Sequence, residues 1–409
     1  MWKADLVNPG DLMVAGQVLG EPTALLNQIF AEPARLAGAR LFTGMGLTSV
    51  LERAPAQLRL LSFVGMGANA RLLAAGRMEL VPCHMSELPW LMTEGPLRPD
   101  VVLVLVSPPD ENGMCSLGVE SDYLWSALGQ ARVVLAEINE QVPRVAGDTG
   151  IPFDRIDGYL RTDRPLPEYG RTRPSPAEQV IGGAVAEFVR DGSCLQVGVG
   201  RLGEAVLAAV ADRRDLGVHS GMIGETVLEL MRDGVITNAG KRVDRGLTVT
   251  GSILGGQAAV GLAAKEPALR LRSVTYTHAE SVIAGLDNFV CVNSAIEVDL
   301  LGQVNTEMAG DRYVGGIGGS VDFLRSSVRA PGGCSVVALP ATARDGTSRI
   351  VPTVRRVTAA RTDLDAVVTE YGTARLRGVS QGERARRLVE VAAPEQRDRL
   401  RAEADALGL

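Results

Sequence analysis

The chain has 409 residues, 46% hydrophobic and 22% charged, with a formal net charge of −6 and a pI near 5.4. That length calls for two domains rather than one core. The acidic balance gives no electrostatic reason to expect nucleic acid or an anionic membrane as partner, and the longest aliphatic run, residues 101–106, is too short to cross a bilayer.

The start, Met1-Trp2-Lys3-Ala4-Asp5, lacks a basic region followed by an apolar stretch, so no secretion signal is expected. Cys83, Cys115, Cys194, Cys291 and Cys334 are scattered and form no CxxC pair, which predicts reduced thiols in the cytoplasm and no zinc site. Lysine occurs only at Lys3, Lys241 and Lys265, the other basic residues being arginine. A local arginine cluster is still able to hold a small phosphate.

Along the chain, apolar β-branched runs alternate with Ala/Leu/Arg stretches, the pattern of α/β folds with parallel sheets. Residues 61–64 read as a strand, Gly65-Met66-Gly67 as a turn and 68–75 as a helix. Residues 194–197 repeat the form as a strand, followed by Gly198-Val199-Gly200 as a turn and 202–210 as a helix. The runs 101–106 and 289–292 form a second, looser echo, and two related α/β domains follow from the pair. The boundary is placed in 161–176, which holds Pro165, Pro167, Pro174 and Pro176, giving domains 1–172 and 173–409. A helix is expected after Ser175, with serine as N-cap and Pro176 in the first turn. Residues 383–400 read as a charged amphipathic helix or helix pair.

Glycine marks the places where chemistry is expected. Gly198-Val199-Gly200-Arg201-Leu202-Gly203 fits GxGxxG between a strand and a helix, where backbone N–H groups face outward and suit an anion or oxyanion. No acidic residue is placed to hold a ribose; Asp212 comes too early and reads as a solvated helix end. In Gly315-Gly316-Ile317-Gly318-Gly319, four glycines in five positions strip side chains from a loop, either for close approach to its backbone or as a flexible hairpin. Residues 251–257 form a third such loop or a simple turn before a helix. His84, His219 and His278 show no metal-ligand spacing, and no GxSxG elbow supports pairing His219 with Ser220 as a hydrolase dyad. Glu225 and Glu229 sit at helical spacing, read first as a solvated helix face. Glu297 alternates with apolar neighbours, as an active-site wall or a buried ion pair would.

Together these segments resemble the acetyl-CoA hydrolase/transferase family, which includes acetate, butyrate and 4-hydroxybutyrate CoA-transferases. The resemblance runs from about Gly65 to Leu400, with a loose match before it. It is carried by Ser107-Pro108-Pro109-Asp110-Glu111-Asn112-Gly113, Asn139-Glu140-Gln141-Val142-Pro143, residues 196–200, 233–238, 293–303 and 315–323, Ser348-Arg349-Ile350-Val351-Pro352, and residues 368–378. It implies two CoA-transferase-type, Rossmann-like open α/β domains with the active site at their interface. It also implies acyl-CoA as substrate, no permanently bound cofactor, and a homodimer or other homo-oligomer, or pairing with a paralogue.

In such enzymes a glutamate attacks the acyl-CoA carbonyl and then carries CoA as a glutamyl thioester. The resemblance implies that Gly198, Val199, Gly200, Leu202, Asn293, Gly315, Gly316, Gly318 and Gly319 hold the CoA thioester and its oxyanion. The chain departs from the family at the nucleophile. Aligning His219-Ser220-x-Met222 places the glutamate at Gly221, which has no side chain. Ser320 stands where many relatives carry glutamine. The favoured expectation is hydrolysis, or acyl transfer to a small acceptor (water or another non-carboxylate nucleophile), without a glutamyl intermediate, with His219, Glu225 or Glu297 among the catalytic groups. The alternatives are a classical carboxylate CoA-transferase using Glu225 or Glu297, and a non-catalytic or complementing subunit that binds CoA esters.

Overall fold

The computed structural model describes residues 4–409; the first three residues of the N-terminal stretch read above lie outside it. Short strands, buried in the middle of the sheet and half-exposed at its edges, form the first sheet: β1 Leu12–Ala15, β2 Arg40–Thr43, β3 Arg59–Ser62, β4 Met78–Leu80, β5 Val101–Val106, β6 Val133–Asn139 and β7 Gly158–Thr162. Their order is β4-β3-β2-β1-β5-β6-β7, all parallel. The central β5, Val-Val-Leu-Val-Leu-Val, is buried at every position, as a strand covered on both faces must be.

Residues 163–175 then run without helix or strand into α1, Pro176–Ala186. The expected cap is present. Ser175 Oγ accepts from Glu178 N at 3.3 Å, and Glu178 Oε2 accepts from Ser175 N at 2.7 Å, a reciprocal capping box.

The second sheet is built from β8 Cys194–Val197, β9 Gly217–Val218, β10 Phe289–Ser294, β11 Cys334–Ala338, β12 Ala366–Thr369 and β13 Gly372–Arg375. Its order is β9-β8-β10-β11-β12-β13, parallel except for the β12–β13 hairpin. Helix α2, Arg201–Ala209, follows β8, and α3, Glu225–Arg232, follows the segment after β9. The single turn α4, Val274–Thr277, and the helix α5, Ser320–Ser327, complete the elements around the site. The charged C-terminus is a helix pair, Gln381–Glu390 and Arg397–Ala406.

The two open α/β sheets expected from the alternation are therefore both present, with β8 on the expected residues and β3 two residues earlier than 61–64. Backbone pairing also ties the two halves together: Glu120 bridges Ser252, Asp122 bridges Ser273, Gly147 bridges Leu271 and Val64 bridges Gly316. Arg272 adds an ion pair to Asp148 at 3.0 Å. No helix among the described residues is long and apolar enough to cross a membrane.

Candidate active site

A cavity of about 400 Å³ opens where the carboxyl ends of β1, β2 and β3 meet those of β8 and β10, the position at which open α/β sheets receive ligands. The first half contributes Gln17, Met45, Phe63, Val64 and Met85; the second contributes the β8 turn, Ser220 to Met222, Asn293 to Ile296 and the 315–319 loop.

The glycine-rich loop is a docked wall and not a free hairpin. Gly65 N donates to Gly315 O at 2.7 Å and Met85 N donates to Gly318 O at 2.9 Å, so the loop is bonded to the other half. A Cβ on Gly315 would strike the Thr306 carbonyl, and one on Gly316 would strike Val64 at 2.7 Å. At the other turn, Gly200 has φ +112, a conformation only glycine takes readily, and Gly203 lies against the Gly198 carbonyl so that α2 packs directly onto the turn.

Not every amide there is available to a ligand. Gly198 N is spent on Val292 O at 2.8 Å, Gly315 N on Glu307 O at 3.1 Å and Gly316 N on Thr306 O at 3.2 Å. Among the described residues, the N–H groups of Val199, Gly200, Leu202 and residues 317–319 make no hydrogen bond within the chain, which leaves these as oxyanion donors and removes Gly198, Gly315 and Gly316.

Gly221 lines the cavity between β9 and the short strand Met222–Ile223. Its carbonyl accepts from Gly251 N at 3.0 Å and Ser252 N at 3.1 Å. The space a side chain would enter is taken: a Cβ would lie 2.6 Å from His278 Cε1, 2.8 Å from His278 Nε2 and 3.5 Å from Phe323 Cε2. The His278 ring is wedged between Gly221 and Gly319 and packs on Phe323 with centroids 4.7 Å apart. Its Nδ1 is 2.9 Å from Thr277 Oγ1, and burial pushes its pKa down to about 3, so the ring is neutral.

Of the residues lining this cavity, His278 is the one with a titratable side chain; the wall holds no Asp, Glu, Lys, Arg, Cys or Tyr. The other polar groups are neutral, among them Gln17, Gln196, Ser220, Ser252, Asn293 and Thr306. Gln17 is held by two buried carboxylates behind the wall. Its N–H donates to Glu120 at 3.0 Å and its Nε2 to Asp122 Oδ2 at 2.6 Å, while its Oε1 accepts from Met45 N at 2.9 Å. Burial raises both acids, Asp122 to about 6 and Glu120 well above its usual range with Asp122 adding to the shift.

Family models for the acetyl-CoA hydrolase/transferase N-terminal domain and C-terminal domain match residues 3–167 and 255–404. The chain belongs to the acetyl-CoA hydrolase/transferase family. It is 37% identical over 342 residues to a 4-hydroxybutyrate coenzyme A transferase from Clostridium kluyveri, covering 83% of this chain and 80% of that protein. It is 32% identical over 404 residues to a succinyl-CoA:cyclohexane-1-carboxylate CoA transferase from Geobacter metallireducens, covering 97% and 92%. Among solved structures, RipA from Yersinia pestis superposes with a TM-score of 0.92 at 32% identity, over 99% of this chain and 96% of that one. The chain is thus an enzyme of a family whose substrates are CoA thioesters.

Within this family fold, Gly198, Val199, Asn293, Gly315, Gly316, Gly318, Gly319 and Gly221 all line the cavity. Gly200 and Leu202 line an adjoining pocket with Arg201 and Arg349. The three expected acid–base groups do not reach the cavity. His219 lies fully buried beneath the wall, its Nε2 donating to Thr277 O at 2.9 Å and its ring held neutral by burial, with a pKa near 3. Glu225 opens α3 and lines a small neighbouring pocket with Tyr169 and Gly200, across the Val197–Val199 turn from the cavity and 3.8 Å from the Arg171 guanidinium. Glu297 sits one residue beyond the lining and accepts from Asn305 Nδ2 at 3.1 Å. Glu297 is thereby committed to a local partner, while the Arg171 beside Glu225 gives its hydrogen bonds to Glu229 and Thr226.

Sequence reasoning weighed His278 only as a metal ligand and did not single out Gln17. Neither carries a motif, and His278 lies 57 positions from Gly221 in the chain, so only the fold joins them.

Proposed function

We propose that Gly221 occupies the position of the family's nucleophilic glutamate, and that this enzyme cleaves an acyl-CoA thioester without forming a glutamyl-CoA intermediate. The observation that carries the reading is the cavity wall, which has no carboxylate to act as nucleophile. Glu225 and Glu297, the substitutes a classical transferase would need, point elsewhere.

The same wall favours water over a carboxylate as acceptor. A carboxylate entering this cavity would lose its hydration and meet neither Lys nor Arg, and an unpaired buried charge is costly. Water carries no such penalty and can be held by the neutral amides and hydroxyls. Hydrolysis is therefore the preferred reaction, with transfer to another uncharged nucleophile as the variant of it. The thioester carbonyl would be polarised by the unspent N–H groups of the two glycine turns.

The test incubates the purified full-length chain with acetyl-CoA, following free thiol and the intact mass of the protein. Thiol release with an unchanged protein mass is expected. A protein-bound CoA adduct, or thiol-independent formation of butyryl-CoA when butyrate is added, would defeat the reading.

A further inference from the structure

Resting on the hydrolytic reading, we propose that His278 is the catalytic base of this enzyme, its Nε2 taking the proton of the water that attacks the thioester. The ring occupies the volume beside Gly221 in which a carboxylate side chain would begin, and it is the titratable group of the cavity wall.

The hydrogen bonds around the ring suit a lone pair on Nε2. Thr277 Oγ1 donates its single hydrogen to Ser273 O at 3.2 Å. With that hydrogen so placed, the hydroxyl oxygen, 2.9 Å from His278 Nδ1, accepts from Nδ1–H. In that tautomer Nε2 carries the lone pair, and it faces Gly221 and Gly319 in a wall without Glu or Lys. The arrangement is that of an oriented base: a hydroxyl, itself anchored to a backbone carbonyl, holds the imidazole in one tautomer. The segment carrying it is fixed in turn, since Ser273 N donates to Asp148 Oδ2 at 3.0 Å and Val274 N to Asp122 O at 3.1 Å.

The step balances without a further reactant. The water oxygen bonds to the thioester carbonyl carbon as Nε2 accepts its proton, giving a tetrahedral oxyanion and an imidazolium. Collapse of the oxyanion breaks the C–S bond, and Nε2–H returns the proton to the departing sulfur. The products are the free acid and the CoA thiol, and the imidazole is regenerated.

The experiment measures acetyl-CoA and butyryl-CoA hydrolysis by the full-length wild type, His278→Gln, His278→Ala and Thr277→Val, each first shown to fold by its thermal transition. His278→Gln and His278→Ala are expected to lose about 10- to 100-fold in kcat, the low end for a general base because burial makes this imidazole a weak one, with KM changed less than about threefold. Added imidazole is expected to restore activity to His278→Ala, into the space vacated, and not to His278→Gln. Thr277→Val, which acts through the ring, is expected to lower kcat about tenfold and leave KM alone. A folded His278→Gln within threefold of the wild-type kcat overturns the assignment while leaving hydrolysis intact. An acyl group found on His278 by peptide mapping also overturns it, in favour of a nucleophile. A wild type that releases no thiol from either ester refutes the hydrolytic reading itself.

Discussion

If Gly221 stands where we propose the family's nucleophile stood, placing a glutamate there by Gly221→Glu alone is expected to fail, for a reason visible in the packing. The backbone at Gly221 is not left-handed, so a side chain meets no backbone strain there. The obstacle is the imidazole, with Cε1 and Nε2 at 2.6 and 2.8 Å from a new Cβ, well inside the 3.4 Å at which ordinary contact begins. The ring has little room to retreat, because Gly319 backs it and Phe323 packs on it.

Overpacking of this kind costs about 1–3 kcal/mol. Gly221→Ala should therefore destabilise the protein by about that amount in urea denaturation. In a His278→Ala background the same substitution should cost less than about 0.5 kcal/mol, since the atoms it meets are gone. The functional counterpart is that Gly221→Glu combined with His278→Ala forms a CoA adduct detectable by intact mass, and that Gly221→Glu by itself does not. Additive stabilities in the double-mutant cycle, or a stable Gly221→Glu single variant that captures CoA, would refute the claim that His278 fills the space beside Gly221.

Acid should expose the buried imidazole. With a folded pKa near 3 against an ordinary 6.5, the unfolded chain binds the proton first, so the stability at stake is present above 6.5 and is lost as pH falls below it. Between pH 7 and pH 5 the wild type should lose about 2 kcal/mol relative to His278→Gln, a comparison in which the opposite titration of Asp122 cancels; a constant difference across that range would contradict the burial. Gly203→Ala would drive a methyl into the Gly198 carbonyl. It should destabilise by about 1–3 kcal/mol and raise KM for acetyl-CoA, despite alanine's better helix propensity; a more stable variant with unchanged KM would count against direct packing of α2 on the turn.

Much of this architecture was legible because it is local. The β-branched run at 101–106 and the short segment 194–197, each closed by turn residues, read as strands, and Ser175, Pro176 and Glu178 announced a helix start through backbone chemistry confined to four residues. The glycine turns were legible for the same reason, and they do wall the cavity. The bonding of the 315–319 loop was not, because its partners Gly65 and Met85 lie in the other half of the chain. That neither Glu225 nor Glu297 faces the cavity was equally hidden. Helical spacing places Glu225 on α3, but only the fold shows Arg171 beside it and the cavity on the far side of the turn. His278 gave no signal at all, since its meaning depends on the two glycines that enclose it.

The 315–319 loop has one more consequence. Because it closes onto Gly65 and Met85 through backbone hydrogen bonds, the cavity is a seam that neither sheet can form without the other. A molecule held there spends part of its binding free energy on keeping the halves together, and stabilises the closed state by mass action. The amide protons of Gly65 and Met85 are thus built-in reporters: their exchange with solvent slows when the seam is occupied and quickens when it parts.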